Sequence, residues 1–226
     1  MEPASDALRI DSSAALWSAS PAERGDRPLL VLLHGYGADE NDLFALASFL
    51  PDGFTVAAVR APLTPPWPAP GFSWYPIEDV VDADLAGRDP ARVTAAASSL
   101  LEWLDAEAGR ARHVGLLGFS QGASVALQAL RLEPERFAFA VNLSGYAAPG
   151  ALPRDHELAV RRVPVFWGRG SLDDVIPAAL IEHTTQWLPA HSELSGRVYP
   201  ALAHGVSDDE LDDVRVFLSK RLAALG

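Results

Sequence analysis

Short apolar runs alternate with amphipathic stretches along the whole chain. Strand-like runs occupy Leu29 to Leu33, Thr55 to Val59, Val114 to Leu117, Ala138 to Leu143, Val163 to Trp167 and Arg197 to Tyr199, with Ala14 to Ala19 as a candidate N-terminal edge strand. Several are apolar at every position, which suits parallel strands covered on both faces rather than a sheet with one wet face. Between them, Val93, Ala96, Ala97, Leu100, Leu101, Leu104 and Ala108 recur at helical spacing. Leu211, Val214, Leu218 and Leu222 do so again near the C-terminus. This last helix opens with Ser207-Asp208-Asp209-Glu210, a capping-box pattern in which Ser207 and Glu210 can each satisfy the other's backbone donor. The alternation predicts a single α/β domain over residues 1–226, built on a mostly parallel sheet with helices on both faces. No internal repeat or second-domain linker interrupts it.

Residues 60 to 90, RAPLTPPWPAPGFSWYPIEDVVDADLAGRDP, break the rhythm. A connection of this length in a compact domain is commonly a functional lid or a disordered segment. Trp67, Phe72, Trp74 and Tyr75 argue for packing, and they are candidates to line a substrate groove. The acidic run Glu78, Asp79, Asp82 and Asp84 reads most simply as a solvated face.

Composition narrows the function. The 226 residues carry 30 acidic against 18 basic side chains, a formal net charge of −12. Such a surface repels phosphate backbones and anionic headgroups, so nucleic acid is not an expected partner. With no cysteine in the chain, disulfides, thiolate nucleophiles and cysteine-ligated metals are excluded. The first residues lack the basic and apolar regions of a signal peptide, and no apolar run reaches membrane-spanning length. The expectation is a cytoplasmic protein without stable membrane insertion; residue content leaves the oligomeric state open.

The sharpest local signal is Gly118-Phe119-Ser120-Gln121-Gly122, set between an apolar strand and an apolar helical run. Gly-x-Ser-x-Gly in that context is a nucleophile elbow: a strained turn displays the serine, and small flanking residues let strand and helix approach. A helix starting at Gln121 would also aim its positive end and a free backbone N–H at Ser120.

A serine hydroxyl needs a base, and the base an orienting acid. In this type of fold the chain order is serine, acid, histidine. His183 falls inside the helix predicted after Pro177, and His191 at the wrong end of the sheet. His204 follows the strand Arg197 to Tyr199 and precedes the capped last helix, at the strand edge where open α/β sheets bind ligands. His204 is the expected base. Asp173 and Asp174 both sit after the strand VPVFWG, and position alone does not separate them. His34-Gly35-Tyr36-Gly37 resembles the glycine-rich oxyanion loop of lipases and esterases, so the backbone N–H groups of Tyr36 and Gln121 are the expected oxyanion donors. His34 precedes the serine and is expected to buttress that loop.

In order along the chain, LLHGYGADENDL, RAP with GFSWY, GFSQGASVAL, DDVIP and LAHGVS resemble the phospholipase/carboxylesterase family, which includes bacterial carboxylesterases and acyl-protein thioesterases. The resemblance covers the chain from about Leu29 onward. It implies an α/β-hydrolase fold without a large cap domain. The family's acid stands in an Asp-x-aliphatic-aliphatic-Pro pattern, which the resemblance places at Asp173, with Ser120 and His204 as its partners. Two departures stand out: Arg169-Gly170 where many members have His-Gly, and Tyr36 where leucine is frequent. Both bear on substrate rather than chemistry.

The resemblance thus implies a serine hydrolase of the EC 3.1 class that cleaves carboxylic esters with short- to medium-chain acyl groups, lysophospholipids or acyl thioesters. It would act through an acyl-enzyme on Ser120, without metal or organic cofactor, on a small-molecule ester or acylated substrate. The rivals are a non-catalytic binding protein on the same scaffold, and a serine peptidase or acyltransferase using the same triad.

Overall fold

The computed structural model describes residues 8–25, 27–77, 85, 87–109 and 111–226. The acidic run at 78, 79, 82 and 84 lies outside these residues. Among the described residues, seven strands form one sheet: β1 (Leu16–Trp17), β2 (Leu29–Leu33), β3 (Thr55–Val59), β4 (Val114–Phe119), β5 (Phe137–Leu143), β6 (Pro164–Gly170) and β7 (Glu193–Tyr199). Their order is β1-β3-β2-β4-β5-β6-β7. Only β1 runs antiparallel, pairing Leu16 with Ala58 and Trp17 with Ala57; the other five pairings are parallel. Among the described residues, six α-helices connect and cover the strands: α1 (Glu40–Phe44), α2 (Pro90–Glu107), α3 (Gln121–Leu132), α4 (Asp155–Arg161), α5 (Ala178–His191) and α6 (Asp208–Leu225). This is the α/β-hydrolase architecture, and among the described residues no large cap stands over the strand ends.

The uniformly apolar strands are explained by burial on both faces. All five residues of β2 are buried. Leu29, Val31 and Leu33 enter one core with Val93, Leu100 and Leu104 of α2 and Val125 and Ala129 of α3. Leu30 and Leu32 enter the other, with Leu43 of α1 and Val214, Phe217 and Leu218 of α6. Each leucine so buried contributes roughly 1.5–3 kcal/mol, which leaves no position in β2 for a polar residue.

Helix starts follow their caps. The Asp89 carboxylate accepts the Ala91 N–H at 2.9 Å, with Pro90 at the first helical position of α2. At α6, Ser207 Oγ accepts the Glu210 N–H at 3.2 Å. The reciprocal half of the expected capping box does not form. Both Glu210 carboxyl oxygens are buried without a hydrogen-bond partner, turned inward against Gly168, where an added Cβ would lie 2.0 Å from Oε1. β7 begins four residues before the predicted strand, because its first half, Glu193 to Gly196, is a partly exposed edge whose polar residues carry no apolar signal. Among the described residues, no helix is long and apolar enough to cross a membrane.

Candidate active site

The strand β4 is buried through Gly118, and the chain then turns sharply into α3. Ser120 sits at the corner with φ 52° and ψ −114°, a conformation that strains a residue with a side chain. Its N–H is held by the Leu143 carbonyl of β5 at 2.8 Å. The two motif glycines have a measurable reason. A Cβ at Gly122 would lie 2.1 Å from the Leu33 carbonyl oxygen, and one at Gly118 would lie 2.5 Å from the Ala123 backbone. Close approach of α3 to β2 and β4, rather than freedom of the turn alone, requires them.

His204 lies in the loop between β7 and α6. Its Nε2 is 2.8 Å from Ser120 Oγ, and its Nδ1 is 2.8 Å from Asp173 Oδ2. With a neutral ring, Nδ1–H donates to the carboxylate and the serine O–H donates to Nε2. The other Asp173 oxygen accepts the backbone N–H groups of Val175 at 3.0 Å and Ile176 at 3.2 Å. Those bonds fix the carboxylate against the imidazole, and its side chain is 1% exposed. Asp174 points into solvent. Phe119 packs against the His204 ring with centroids 5.1 Å apart. The three groups form one hydrogen-bonded chain from carboxylate to hydroxyl, the arrangement that can draw a proton from Ser120 as it attacks.

The loop after β2 closes on the elbow from the other side. A Cβ on Gly35 would lie 3.6 Å from Ser120 Cβ, so the Gly35–Tyr36 backbone runs directly beside the serine. Gln121, the first residue of α3, has a backbone N–H without an intrahelical partner. Tyr36 and Gln121 both line a cavity of about 190 Å³ that contains Ser120 and His204.

His34 is buried beneath this loop. Its Nδ1 lies 2.7 Å from the Gly35 carbonyl oxygen, and its Nε2 accepts the Ala61 N–H at 3.1 Å. Those partners need a neutral ring, protonated on Nδ1, and burial lowers its pKa accordingly. The Asp39 side chain caps α1 by accepting from Asn41 N at 2.8 Å, and buried Glu40 accepts from Arg60 Nε at 2.6 Å. The loops after β2 and β3 are thereby tied together.

Of the four aromatic residues expected to line a groove, the structure brings only Tyr75 to the cavity. Trp67 is 93% exposed. Phe72 lies under the Arg60 guanidinium, 4.6 Å from its centroid. Trp74 is fully buried, and its indole N–H donates to the His34 carbonyl at 2.8 Å. The Leu63–Ser73 bridge folds the segment back on itself and the Ala38–Phe72 bridge ties it to the loop after β2, directing these side chains to different sides.

Sequence reasoning missed Ile77, Arg88, Tyr146, Val175 and Ile176, which complete the cavity. Tyr146 had one available signal: it follows β5, the strand beside β4, at the same sheet edge as Ser120. Among the described residues, no group of three or more His, Asp or Glu side chains is arranged to hold a metal ion.

A mostly parallel sheet with helices on both faces, carrying a strained serine between β4 and α3, defines the class as α/β-hydrolase. Within that class the chain belongs to the phospholipase/carboxylesterase family, whose profile matches residues 18–222. It is 32% identical over 111 residues to acyl-protein thioesterase 1 of Saccharomyces cerevisiae, a match covering 47% of this chain and 49% of the yeast protein. The matched stretch thus spans about half the length of that relative, and 66% of a probable carboxylesterase of Oryza sativa that is 29% identical over 67% of this chain. Acyl-protein thioesterase 1 of Eremothecium gossypii is 26% identical over 86% of this chain and 88% of its own length. Among solved structures, the esterase PE8 superposes with a TM-score of 0.73 at 27% identity, covering 95% of this chain and all of that one. A carboxylesterase from Mesorhizobium loti gives 0.72 at 21% identity over 95% of this chain and 99% of its own, a likeness of fold.

Proposed function

We propose that this chain is a serine hydrolase that cleaves carboxylic esters through an acyl-enzyme on Ser120, with His204 as base and Asp173 as its orienting acid. The observation that carries the reading is the unbroken hydrogen-bonded chain Asp173–His204–Ser120, with both links at 2.8 Å. As Ser120 Oγ bonds to the ester carbonyl carbon, its proton passes to His204 Nε2. Charge on the former carbonyl oxygen is held by the Tyr36 and Gln121 backbone N–H groups, each donor of this kind being worth about 3–4 kcal/mol. His204 then returns the proton to the departing alkoxide as the tetrahedral adduct collapses. A water molecule, deprotonated by the same imidazole, releases the acid and restores Ser120. A thioester would follow the same steps with an easier leaving group, in keeping with the names of the fungal relatives.

The test is hydrolysis of p-nitrophenyl acetate and butanoate by wild type and by Ser120→Ala, with labelling by a fluorophosphonate. Expected are a burst equal to the enzyme concentration, labelling at Ser120, and loss of about 10⁴-fold or more in the variant. A folded wild type that neither turns over nor reacts with the fluorophosphonate would sink the proposal.

A further inference from the structure

The turn that carries Asp173 has little backbone support of its own. After β6, the Ser171 N–H donates to the Tyr199 carbonyl and the Leu172 N–H to the Leu202 carbonyl, each at 2.9 Å. Beyond them, among the described residues, no backbone–backbone hydrogen bond joins residues 173–176 to another element. Asp174 and Val175 are exposed. A catalytic group nevertheless has to be held to within about 0.5 Å of its working position.

One peptide group supplies that hold. The N–H of the Val175–Ile176 peptide donates to Asp173 Oδ1 at 3.2 Å, and the C=O of the same peptide accepts from Arg88 Nη2 at 2.9 Å. A trans peptide is planar, and its C=O and N–H point in opposite directions. A guanidinium on the oxygen side therefore fixes the N–H on the carboxylate side, and its charge polarises the amide toward that carboxylate. Arg88 is itself well anchored. It is 8% exposed, its N–H donates to the Leu85 carbonyl at 3.0 Å, and it directly precedes the Asp89 cap of α2. Leu85 packs on the apolar cluster of Tyr146, Ile176 and Leu180. The segment that grips the peptide of Ile176 thus docks its side chain as well.

From these contacts, and resting on the hydrolase reading above, we infer that Arg88 is a positioning residue of the reaction: it orients the Val175–Ile176 peptide, which in turn holds Asp173 against His204. Arg88 also lines the cavity that contains Ser120, so direct contact with substrate is the competing role. The two roles separate kinetically. A group acting through Asp173 sets the geometry of the transition state and leaves ester binding alone. A group touching the substrate contributes to binding whatever residue stands at 173.

The experiment is a double-mutant cycle on p-nitrophenyl butanoate hydrolysis with Arg88→Met, Asp173→Asn and the double variant, each checked for folding by circular dichroism and thermal melting. Arg88→Met keeps an unbranched stem and removes the donor. It is expected to lower kcat by about 10- to 100-fold, the cost of a slightly misplaced catalytic group, with KM little changed. In the Asp173→Asn background the same substitution should cost no more than about twofold, because the carboxylate through which it acts is already gone. Should Arg88→Met not fold, Arg88→Gln, a shorter polar side chain, takes its place in the cycle. A folded variant that keeps wild-type kcat, whether or not KM rises, overturns the inference. So does one that multiplies its full loss onto Asp173→Asn. If either result comes with wild-type turnover and fluorophosphonate labelling of Ser120, only the role of Arg88 fails. A folded wild type that neither turns over nor is labelled overturns the hydrolase reading with it.

Discussion

The Gln121 side chain grips the main chain of Tyr75. Its Nε2 donates to the Tyr75 carbonyl at 2.7 Å, while its Oε1 accepts from the neighbouring Trp74 N–H at 2.8 Å. One residue thus links two jobs. Its backbone N–H stands at the start of α3 beside Ser120, and its carboxamide holds the cavity wall.

That division makes Gln121→Ala informative. The backbone N–H survives the substitution, so the proposed oxyanion donor is retained. Trp74 N–H and Tyr75 C=O lose their buried partner, at about 1–3 kcal/mol for each group left unpaired. The variant should unfold at lower urea concentration, and its KM should rise more than its kcat falls. Urea titration and steady-state kinetics on one preparation check both halves.

Asp173 and Asp174 are neighbours in sequence and opposites in environment. Asp173 is held by two backbone N–H groups and the His204 ring, whereas Asp174 is exposed. Asp173→Asn would leave the shape intact while favouring the wrong imidazole tautomer, with an expected fall in kcat of about 10⁴. Asp174→Asn should stay near wild type. Equal losses in the two variants would contradict the assignment of the acid.

His34 touches no part of the cavity yet braces the loop beside it, bridging the Gly35 carbonyl and the Ala61 N–H. In His34→Ala the Ala61 N–H is left buried and unpaired, and Tyr36 loses its support. A misplaced oxyanion donor acts on the transition state more than on the bound ester. The expected loss, up to about 10²-fold, should therefore fall on kcat with KM little changed. An unchanged kcat would show that the Tyr36 loop stands without the ring.

How much of this was legible in the sequence depends on whether a signal was periodic or directional. The strand, Ser120 and α3 were legible because a two-sided strand must be apolar throughout and the crossing of α3 over β2 admits only glycine at 122. His204 was legible from the capped helix behind it. The choice of Asp173 over Asp174 came only from the resemblance to the family's Asp-x-aliphatic-aliphatic-Pro pattern and not from position, because a loop has no period; side-chain direction there is set by the Oδ1 bonds to Val175 and Ile176. The same lack of period holds for Trp74 and Tyr75, adjacent residues sent to different places by the two short bridges at Leu63–Ser73 and Ala38–Phe72. Glu210 misled for a different reason. Its sequence context is a capping box, but the absence of a side chain at Gly168 opens a slot into which the carboxyl turns.

That slot has a consequence for stability. Glu210 is fully buried on α6, with no hydrogen-bond partner at either oxygen. Burial raises its pKa from 4.5 to about 7; the nearby Ser207 backbone N–H, without completing a hydrogen bond, offsets part of the rise, and the Asp213 charge adds to it. Between roughly 4.5 and 7 the native state holds a proton that the unfolded chain has released, so stability declines as pH rises through that window. It levels off above it, having lost on the order of 3 kcal/mol at about 1.4 kcal/mol per unit. Glu210→Gln removes the titration while keeping the shape. The variant should match wild type near pH 4.5 and exceed it at pH 8, with Tm values diverging between those limits. Thermal melts of both proteins across that range decide it: parallel curves would mean that the carboxyl is already ionised in the native state.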